Sequence, residues 1–587
     1  MYQAENYEVW YNEAKKLIEA GENEKAIAKL DEVIDIKPDF YMAWYERGNA
    51  LLDLKLFSAA LASYDKALDL NPKFYPAWYD RGNLLYLMGH TKACIDSYNQ
   101  AIVIIPDDYS CWYNKGIALD DLGNLSEAIG CYEQALILNP EFYEAWYNRG
   151  IALKYLGHVS DAIISYDKAI IINPKFHHAW YNRGVALADL GRQEAALASY
   201  DQAIKAKPDY HVAWYNRGVL LFQMKRFEAA LTSYDIAIEF NPEDHLAWYN
   251  RGIVLFELRN YPSAIASYNK AIEFNPDYSY AWNNKGVALF SLQRYQEAIE
   301  NYNQAIILEL NNYSAWYNKG NAFDELGQFY EAIDCYEQAL FCKEDYYQAW
   351  NQIGAIFLKL ESYEQALVYF EKALEIEPGY SVAWYNQGNA LLSIGQLIQA
   401  IYSYDQGIKL QEDFYPAWYN RATIFASLGK LEQALSSYDK VLEYKPNRYE
   451  AWYNRGIILK DLNRLAEALD SYNKAIELEP KANAPWCSKG ILLVMLGNFC
   501  EALFCYDKAI EIKPRDASGM YNRACCHALL GNHQEAIADL KQAIYLNPGR
   551  YLELCKIDTD FNSIRDDLQL QSLLSDITYS FSDFSSL

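Results

Sequence analysis

The sequence predicts an all-α solenoid of about sixteen 34-residue helix-turn-helix repeats, and two observations lead to this prediction. Small and apolar residues recur at fixed distances from a periodic Trp. The Trp itself recurs at a constant interval of 34 residues, without insertion. A period in this range is typical of repeat arrays, in which each unit buries its apolar face only against its neighbours. The fifteen positions are Trp10, Trp44, Trp78, Trp112, Trp146, Trp180, Trp214, Trp248, Trp282, Trp316, Trp350, Trp384, Trp418, Trp452 and Trp486.

The array fills most of the chain. Counted from three residues before each Trp, it runs from residue 7 to residue 550, and the sixteenth repeat carries Met520 in the Trp place. We interpret residues 1–6 as a lead-in, 551–574 as a C-terminal capping helix segment and 575–587 as a disordered tail. The residues outside the array are too few for an independent domain, which usually needs about 50 or more. This arithmetic argues against a catalytic domain.

Each repeat encodes two helices, which we describe by offsets from its Trp. Gly at offset +4 in thirteen repeats and Leu or Phe at +7 in fifteen share one narrow stripe with Trp, as on an α-helix. A frequent Gly at +11 ends this first helix. The second helix carries Ala at +16 in fifteen repeats and Tyr at +20 in thirteen, and Pro at +28 in thirteen repeats ends it. The unit is therefore helix, tight turn, helix, turn.

These offsets resemble the signature W-x2-L-G-x2-Y…A-x3-F…P of the tetratricopeptide repeat (TPR) family. The resemblance implies a right-handed superhelix that serves as a binding scaffold, with partners that vary from one protein to another. The segment from Tyr551 to Leu574 also resembles the DxDFxxIRDD segment that closes many bacterial TPR proteins. The matching residues are Asp560, Phe561, Ile564, Arg565, Asp566 and Asp567.

One departure from the signature is systematic. Offset +3, Leu in the family, is Arg or Lys in thirteen repeats, and an acid recurs at offset +21. We expect a regular salt bridge within each repeat, formed by pairs such as Arg183 at +3 and Asp201 at +21. The alternative is a basic stripe that binds acidic ligands.

Composition excludes several functions. A net charge of −26 repels phosphate backbones, so nucleic acid is not an expected partner. No run of apolar residues is long enough for a signal peptide or a membrane anchor, which favours a cytoplasmic protein without membrane insertion. The eleven Cys include no CxxC pair, and we expect reduced, buried thiols rather than a metal site. Because no P-loop, HExxH motif or nucleophile elbow is present, we predict no enzyme activity and no cofactor.

A candidate binding site lies on the side of the first helix opposite its Trp. Offset +2 is Asn in twelve repeats, where we expect it to be exposed, although Asn costs about 0.6 kcal/mol relative to Ala in a helix. An Asn amide can bond both the N–H and the C=O of an extended peptide. The pattern is similar to the asparagine ladders of the O-GlcNAc transferase TPR region and of armadillo importins, which hold extended polypeptides. The alternative is that twelve Asn record one ancestral residue copied by duplication.

Residues that vary between repeats predict where a partner is anchored. In the seventh to ninth repeats, offset +5 is branched and aliphatic and offset +8 is Phe, which makes an apolar patch of the kind that marks partner sites. The competing interpretation is that these side chains pack between successive first helices. The candidate peptide-binding residues are Asn148, Asn182, Tyr215, Asn216, Val219, Phe222, Tyr249, Asn250, Ile253, Phe256, Asn284, Val287, Phe290 and Asn318.

The sequence therefore predicts a non-catalytic scaffold. In this hypothesis an extended or amphipathic segment of a protein partner lies in the concave groove, for complex assembly or a chaperone-like role. The alternative is a purely structural solenoid that associates with further copies of itself. Offset +28 loses its Pro at Leu310, Glu344 and Glu412, which indicates either a joint between two subarrays or relaxed drift.

Overall fold

The structure, a computed structural model, describes residues 7–572. The predicted lead-in, the predicted tail and residues 573–574 of the predicted capping segment lie outside the described residues. Every regular element from residue 7 to residue 572 is a helix. The chain divides into two compact units, Met1–Glu309 and Leu310–Leu587. The division falls at Leu310, the first position at which the turn Pro is replaced.

The first unit contains nine repeats, each a first helix of 13 residues followed by a second helix of 14 residues. In chain order the helices are α1 (Tyr7–Glu19), α2 (Asn23–Ile36), α3 (Tyr41–Asp53), α4 (Phe57–Leu70), α5 (Tyr75–Leu87), α6 (Thr91–Ile104), α7 (Tyr109–Asp121), α8 (Leu125–Leu138), α9 (Tyr143–Tyr155), α10 (Val159–Ile172), α11 (His177–Asp189), α12 (Gln193–Ala206), α13 (His211–Gln223), α14 (Phe227–Phe240), α15 (His245–Glu257), α16 (Tyr261–Phe274), α17 (Ser279–Ser291) and α18 (Tyr295–Leu308).

The second unit contains seven repeats and a short C-terminal segment. Its helices are α19 (Tyr313–Glu325), α20 (Phe329–Cys342), α21 (Tyr347–Lys359), α22 (Tyr363–Ile376), α23 (Ser381–Ser393), α24 (Leu397–Leu410), α25 (Tyr415–Ser427), α26 (Leu431–Tyr444), α27 (Tyr449–Asp461), α28 (Leu465–Leu478), α29 (Asn483–Met495), α30 (Phe499–Ile512), α31 (Ala517–Leu529), α32 (His533–Leu546) and α33 (Pro548–Ile557), followed by a 3-10 helix (Thr559–Phe561). The segment after the last repeat thus begins at Pro548, slightly before the predicted end of the array.

The turn between the two helices of a repeat requires a left-handed backbone at offset +11. Gly occupies this position in ten repeats, with φ between 70° and 83°. Six repeats use a residue with a side chain at a φ of 58–61°, for example Lys55 and Asn463. Left-handed backbone is sterically unfavourable for L-residues, and Gly removes that penalty. The predicted role of the +11 Gly is therefore confirmed.

Within a repeat the two helices meet through a Gly and an aromatic ring. Ala264 at offset +16 and Tyr268 at +20 are buried, and the repeat's +4 Gly faces the ring. A Cβ placed on Gly252 would lie 2.5 Å from Cε1 of Tyr268, well inside van der Waals contact. The ring therefore occupies the space that a side chain at +4 would need, which explains why Gly recurs there.

Two of the three exceptions at offset +4 follow the same logic. In the first and sixteenth repeats Ala replaces Gly, and Leu replaces the aromatic residue at +20, giving the pairs Ala14 with Leu30 and Ala524 with Leu540. A smaller, flexible partner leaves room for the extra methyl group. The third exception, Ala422, does not follow this rule, since it faces the buried ring of Tyr438.

The Arg at offset +3 forms the predicted salt bridge, but with the preceding repeat rather than within its own. Arg251 Nε lies 2.6 Å from Asp235 Oδ1 on the second helix of the repeat before it. Its Nη1 donates to Ser267 Oγ of its own repeat at 2.7 Å, and its guanidinium lies 5.7 Å from the ring centroid of Trp248. The expectation of a pair within each repeat is therefore wrong, because the second helix packs against the next first helix. The same ion pair with the preceding repeat occurs at Arg47, Arg81, Arg149, Arg183, Arg217, Arg421 and Arg455.

These contacts explain a correlation among three positions of the sequence. All nine Arg at offset +3 follow an Asp or Glu sixteen residues earlier, and eight of them precede a Ser sixteen residues later. All four Lys at +3 (Lys115, Lys285, Lys319 and Lys489) instead follow an Asn, and they precede Cys or Asn. A guanidinium fork can bond an acid and a hydroxyl together, whereas an ammonium is a point charge on a flexible stem. The three residues therefore act as one set across each junction.

We expect Arg251→Lys to weaken the junction between the seventh and eighth repeats by about 1 kcal/mol, since the acid is half exposed and screened. Adding Asp235→Asn and Ser267→Cys, the natural companions of Lys, should recover part of this loss. Hydrogen exchange of peptides from α14 and α15 in the full chain measures the local effect. If the triple variant lost as much stability as the sum of its three single changes, the three residues would not act as one set.

Candidate functional site

The candidate residues lie on the first-helix surface, which we define as offsets −2, +1, +2, +5 and +8 of successive first helices. Successive first helices touch one another directly, for example α13 with α15 and α15 with α17. All fourteen candidate residues are half-buried rather than fully exposed. Thirteen belong to the first unit, and Asn318 lies on α19 in the second unit. The expectation of freely exposed Asn side chains is therefore wrong.

The Asn at offset +2 bridges consecutive repeats through a Tyr hydroxyl. Asn250 Nδ2 donates to the hydroxyl of Tyr215 in the preceding repeat at 2.8 Å, and Asn284 donates likewise to Tyr249 at 2.9 Å. The bond recurs at Asn114, Asn148, Asn182 and Asn216, whose partners are Tyr79, Tyr113, Tyr147 and Tyr181. We call this row the Tyr–Asn ladder. Sequence reasoning missed these bonds, although Tyr at +1 next to Asn at +2 was the available signal.

The ladder leaves part of its hydrogen-bonding capacity unused. Tyr215 accepts a hydrogen bond from Asn250, and its own hydroxyl proton reaches no acceptor among residues 7–572. Within the same residues no donor reaches Oδ1 of Asn148, Asn182, Asn216 or Asn250. These four oxygens are not among the buried atoms that lack a partner, so they remain accessible. Burial raises the pKa of the Tyr249 hydroxyl to about 12, so it stays protonated at neutral pH. Each such rung therefore presents one O–H donor and one carbonyl acceptor.

The apolar candidates pack partly against their own repeat. Phe256 lies 5.3 Å from the ring of Tyr261, at the start of the second helix, and Phe222 and Phe290 make the same contact with Phe227 and Tyr295. Ile253 and Tyr249 flank the core around Tyr268. Val219 and Tyr215 do so in the repeat before, and Val287 is half-buried on α17. These side chains are neither wholly core nor wholly free.

Asn at offset +5, found in the second, third, tenth and twelfth repeats, bonds a Tyr of its own repeat. Tyr64, a buried residue at +20, donates its hydroxyl to Asn49 Oδ1 at 2.9 Å. The same bond joins Tyr98 to Asn83, Tyr336 to Asn321 and Tyr404 to Asn389. In the second unit the +2 Asn also bridges repeats, with Asn454 donating to Tyr419 at 3.0 Å.

The residues after the last repeat form a small cluster with it. Tyr551, Phe561, Ile564 and Leu570 are buried together with side chains of α31 and α32. Asp558 accepts from the Tyr521 hydroxyl at 2.7 Å. Cys525, Asp558 and Asp560 place ligand atoms within 4.8 Å of one another, the single such group among the described residues. Because Asp558 also accepts from the Cys525 thiol, the group has a structural explanation.

Two further observations concern membranes and thiols. From residue 7 to residue 572 no helix has both the length and the apolar character that crossing a bilayer requires. Cys131, Cys335 and Cys505 at offset +19 are buried free thiols, as predicted, and burial is the main reason that their pKa values are raised.

Four family models, all described as tetratricopeptide repeat, match the chain. Between them they match most of its length from residue 11 to residue 550. Their matches cover residues 11–73, 150–211 and 215–279; residues 109–142, 279–312, 313–346, 347–380, 415–448, 449–482 and 517–550; residues 131–164 and 369–402; and residues 75–108.

Solved structures of repeat proteins are similar over parts of the chain. YrrB, described as a TPR protein with an unusual peptide-binding site, is 26% identical, with 32% of this chain and 97% of that chain covered and a TM-score of 0.28. MamA is 23% identical over 29% and 92%, with a TM-score of 0.28. The APC/C hetero-tetramer Cut9-Hcn1 gives 14% identity over 84% and 97%, with a TM-score of 0.35. TM-scores this low support no argument about this chain. No curated protein matches it at a significant level.

Proposed function

Because the chain belongs to the tetratricopeptide repeat family, whose members typically mediate protein–protein interaction, we propose that it is a non-catalytic scaffold that holds a polypeptide segment along its first-helix surface. The segment is extended or amphipathic and belongs to a protein partner in the cytoplasm. Complex assembly or a chaperone-like role follows from such binding. No nucleic acid is expected, because the net charge of −26 opposes it.

The observation that carries this proposal is the unused polar capacity of the Tyr–Asn ladder. The rungs at Asn148, Asn182, Asn216 and Asn250 each combine a Tyr O–H with an unused Asn Oδ1, and these groups complement the C=O and N–H of a peptide backbone. Packed helices lie about 8–10 Å apart, so one rung corresponds to about three residues of extended chain. Backbone bonding of this kind is insensitive to the sequence of the peptide.

Specificity in this proposal comes from the seventh to ninth repeats. There Val219, Ile253 and Val287 flank the ladder, and Phe222, Phe256 and Phe290 follow one turn later. Apolar side chains of the partner would pack on this half-buried patch, as anchors usually do in interfaces. The bonds between repeats are a stability role that the same Asn fulfil without any ligand, so the test must separate the two roles.

We expect Asn250→Ala with Phe256→Ala to weaken peptide binding at least tenfold, since two central contacts are lost. Peptides selected from a random 12-residue library on the full chain serve as probes, and fluorescence anisotropy measures their affinity. The matched control is Asn454→Ala with Lys460→Ala, which removes residues at the same offsets and the same kind of bond to Tyr419 in the second unit. If the two double variants bound the peptide with equal affinity, the seventh to ninth repeats would not be the binding site.

A second proposal concerns the C-terminal segment. We propose that residues 548–572 cap the array, because Tyr551, Phe561 and Ile564 cover apolar side chains of the last repeat. Terminal repeats need such a cover with a polar outer face for solubility.

A further inference from the structure

The outer side of the second helices carries an apolar run that the proposed function does not use. Offset +25 is charged in ten of the sixteen repeats, with Glu239 and Glu273 as examples. It is apolar in three consecutive repeats, at Val103, Ile137 and Ile171. We call these three residues the outer column. The other three repeats carry Ile307, Phe341 and Tyr545 at this offset, so the outer column is the longest uncharged run.

The outer column is exposed to solvent. Val103, Ile137 and Ile171 are 76%, 69% and 72% exposed, and Ile164, two turns earlier on α10, is 54% exposed. On α8 the residue at the same place as Ile164 is Gly130, where an added Cβ would meet nothing within 4 Å. Because Gly130 has no side chain, the surface of α8 is recessed on the side of Ile137. A run of large aliphatic side chains in water is the kind of surface that marks a partner site.

A pocket adjoins the column between the fourth and fifth repeats. Ile137, Leu136 and Trp146 supply its apolar lining, and the ion pair of Arg149 with Glu133 supplies its polar side. Apolar lining with a few polar groups suits an aliphatic side chain inserted from outside. The column thus has both a raised apolar surface and a place to receive a side chain.

The charges around the column favour a basic partner. Helices α6, α8 and α10 together carry five acidic residues and two Lys. The acidic residues are Asp96, Glu127, Glu133, Asp161 and Asp167. Glu133 and Asp167 are paired with Arg149 and Arg183. The attraction for cations therefore comes from Asp96, Glu127 and Asp161 together with the net charge of −26, which also repels anionic membrane surfaces.

The backbone of the outer side restricts the shape of the partner. The second helices satisfy their own backbone hydrogen bonds, so an extended strand would find no backbone partners there. A helix brings its backbone bonds with it. Helices α6, α8 and α10 pack mainly against the first helices beside them rather than against one another. A partner helix with aliphatic residues along one face would meet the members of the column in turn.

We propose that the outer column docks a basic amphipathic helix of a partner protein, with aliphatic residues along one face and Lys or Arg on both flanks. This site lies on the second helices and is separate from the first-helix surface.

Two peptides test the proposal by fluorescence anisotropy with the full chain. The first is a labelled helical peptide of about 22 residues with Leu at every seventh position, Lys on both flanks and Ala and Gln elsewhere. The second has the same composition with its Leu positions shuffled. We expect micromolar binding of the first, at least tenfold weaker binding of the second, and loss of affinity as salt rises.

Variants of the chain complete the test. The triple change Val103→Glu, Ile137→Glu and Ile171→Glu installs the residue that other repeats carry naturally, so the fold should persist while affinity falls at least tenfold. Conversely, Lys205→Ile, Glu239→Ile and Glu273→Ile should create a second site and raise the stoichiometry to two peptides per chain. Asn250→Ala with Phe256→Ala should leave this binding unchanged, which separates it from the first-helix surface.

Three outcomes would overturn the proposal. If the shuffled peptide bound as tightly as the first peptide, the attraction would come from charge alone. Unchanged affinity in the triple Glu variant would place the contact elsewhere. Concentration-dependent association of the chain in sedimentation velocity, removed by the same triple variant, would assign the column to a second copy of the chain.

Discussion

Replacing Gly252 with Ala is expected to loosen the eighth repeat by about 1–3 kcal/mol, a typical effect of overpacking a core. The new Cβ would lie 2.5 Å from Cε1 and 2.7 Å from Cδ1 of Tyr268. That ring is 1% exposed, so it can move aside only by displacing its neighbours. Hydrogen exchange of peptides covering α15 and α16 should accelerate by a factor of about 5–30 or more.

A second change at Tyr268 should partly restore the stability of the Gly252→Ala variant. Tyr268→Leu recreates the pairs Ala14 with Leu30 and Ala524 with Leu540, so the double variant should lose less stability than the sum of the single changes. Gly130→Ala is the matched control, because a Cβ there meets nothing within 4 Å. It should be neutral or stabilising by up to about 1 kcal/mol. Strict additivity of Gly252→Ala and Tyr268→Leu would show that the ring is not the obstacle.

Above pH 10 the array is expected to unfold steeply. Burial raises the pKa of all thirteen Tyr at offset +20, Tyr234, Tyr268 and Tyr302 among them. In the unfolded chain a Tyr ionises near pH 10. Above that pH the unfolded state binds fewer protons than the folded state, so stability falls with rising pH. The stability is fully present below pH 10, and each such Tyr removes about 1.4 kcal/mol per pH unit above it.

Circular dichroism and the ultraviolet absorbance of tyrosinate, followed together through an alkaline titration, measure this effect. Loss of helix and ionisation of Tyr should coincide. The eleventh repeat naturally carries Phe370 at offset +20. Changing Tyr234, Tyr268 and Tyr302 together to Phe should therefore shift the unfolding transition to higher pH and make it less steep. Ionisation of the buried Tyr while the helices remain intact would refute the expectation.

Much of the fold follows from the sequence because one register repeats sixteen times. The Trp interval, the +4 Gly and the +28 Pro set helix number, helix lengths and turn positions, and the helices begin and end where these residues predict. Gly at +11 is the more subtle case. The sequence indicates a helix end there, and the left-handed φ of Gly89 and of Lys55 alike shows that position, rather than residue type, sets the turn.

The partner of Arg251 could also have been predicted, although we expected it within the repeat. The acid at +21 of the same repeat lies eighteen residues later, and that of the preceding repeat lies sixteen residues earlier. Pairing within the repeat would join Arg251 to Asn269, whereas pairing across the junction joins it to Asp235. Comparing the repeats with each other distinguishes the two, since Arg always follows an acid and Lys always follows Asn.

The Tyr–Asn ladder lay beyond the reach of the sequence. Angular positions on a helix place Asn250 opposite Trp248, but they do not give the distance to the neighbouring helix. That distance brings Tyr215 within 2.8 Å and makes half-buried bridges of side chains that we expected to be free. The bridge also supplies a stability reason for Asn, about 0.5–1.5 kcal/mol for each hydrogen bond, which offsets its low helix propensity.

The ion pairs across junctions indicate how the chain should be cut into fragments. A fragment that starts at a first helix leaves its +3 Arg without the preceding acid. One that starts at a second helix, for example at Phe227, retains Asp235 for Arg251, and one that ends after a second helix retains the Ser as well. The first repeat carries Glu13 in place of Arg at this offset, and Lys29 Nζ of the same repeat lies 3.7 Å from Glu13 Oε2, so its ion pair forms within the repeat. A fragment that has to begin at a first helix can copy this pair.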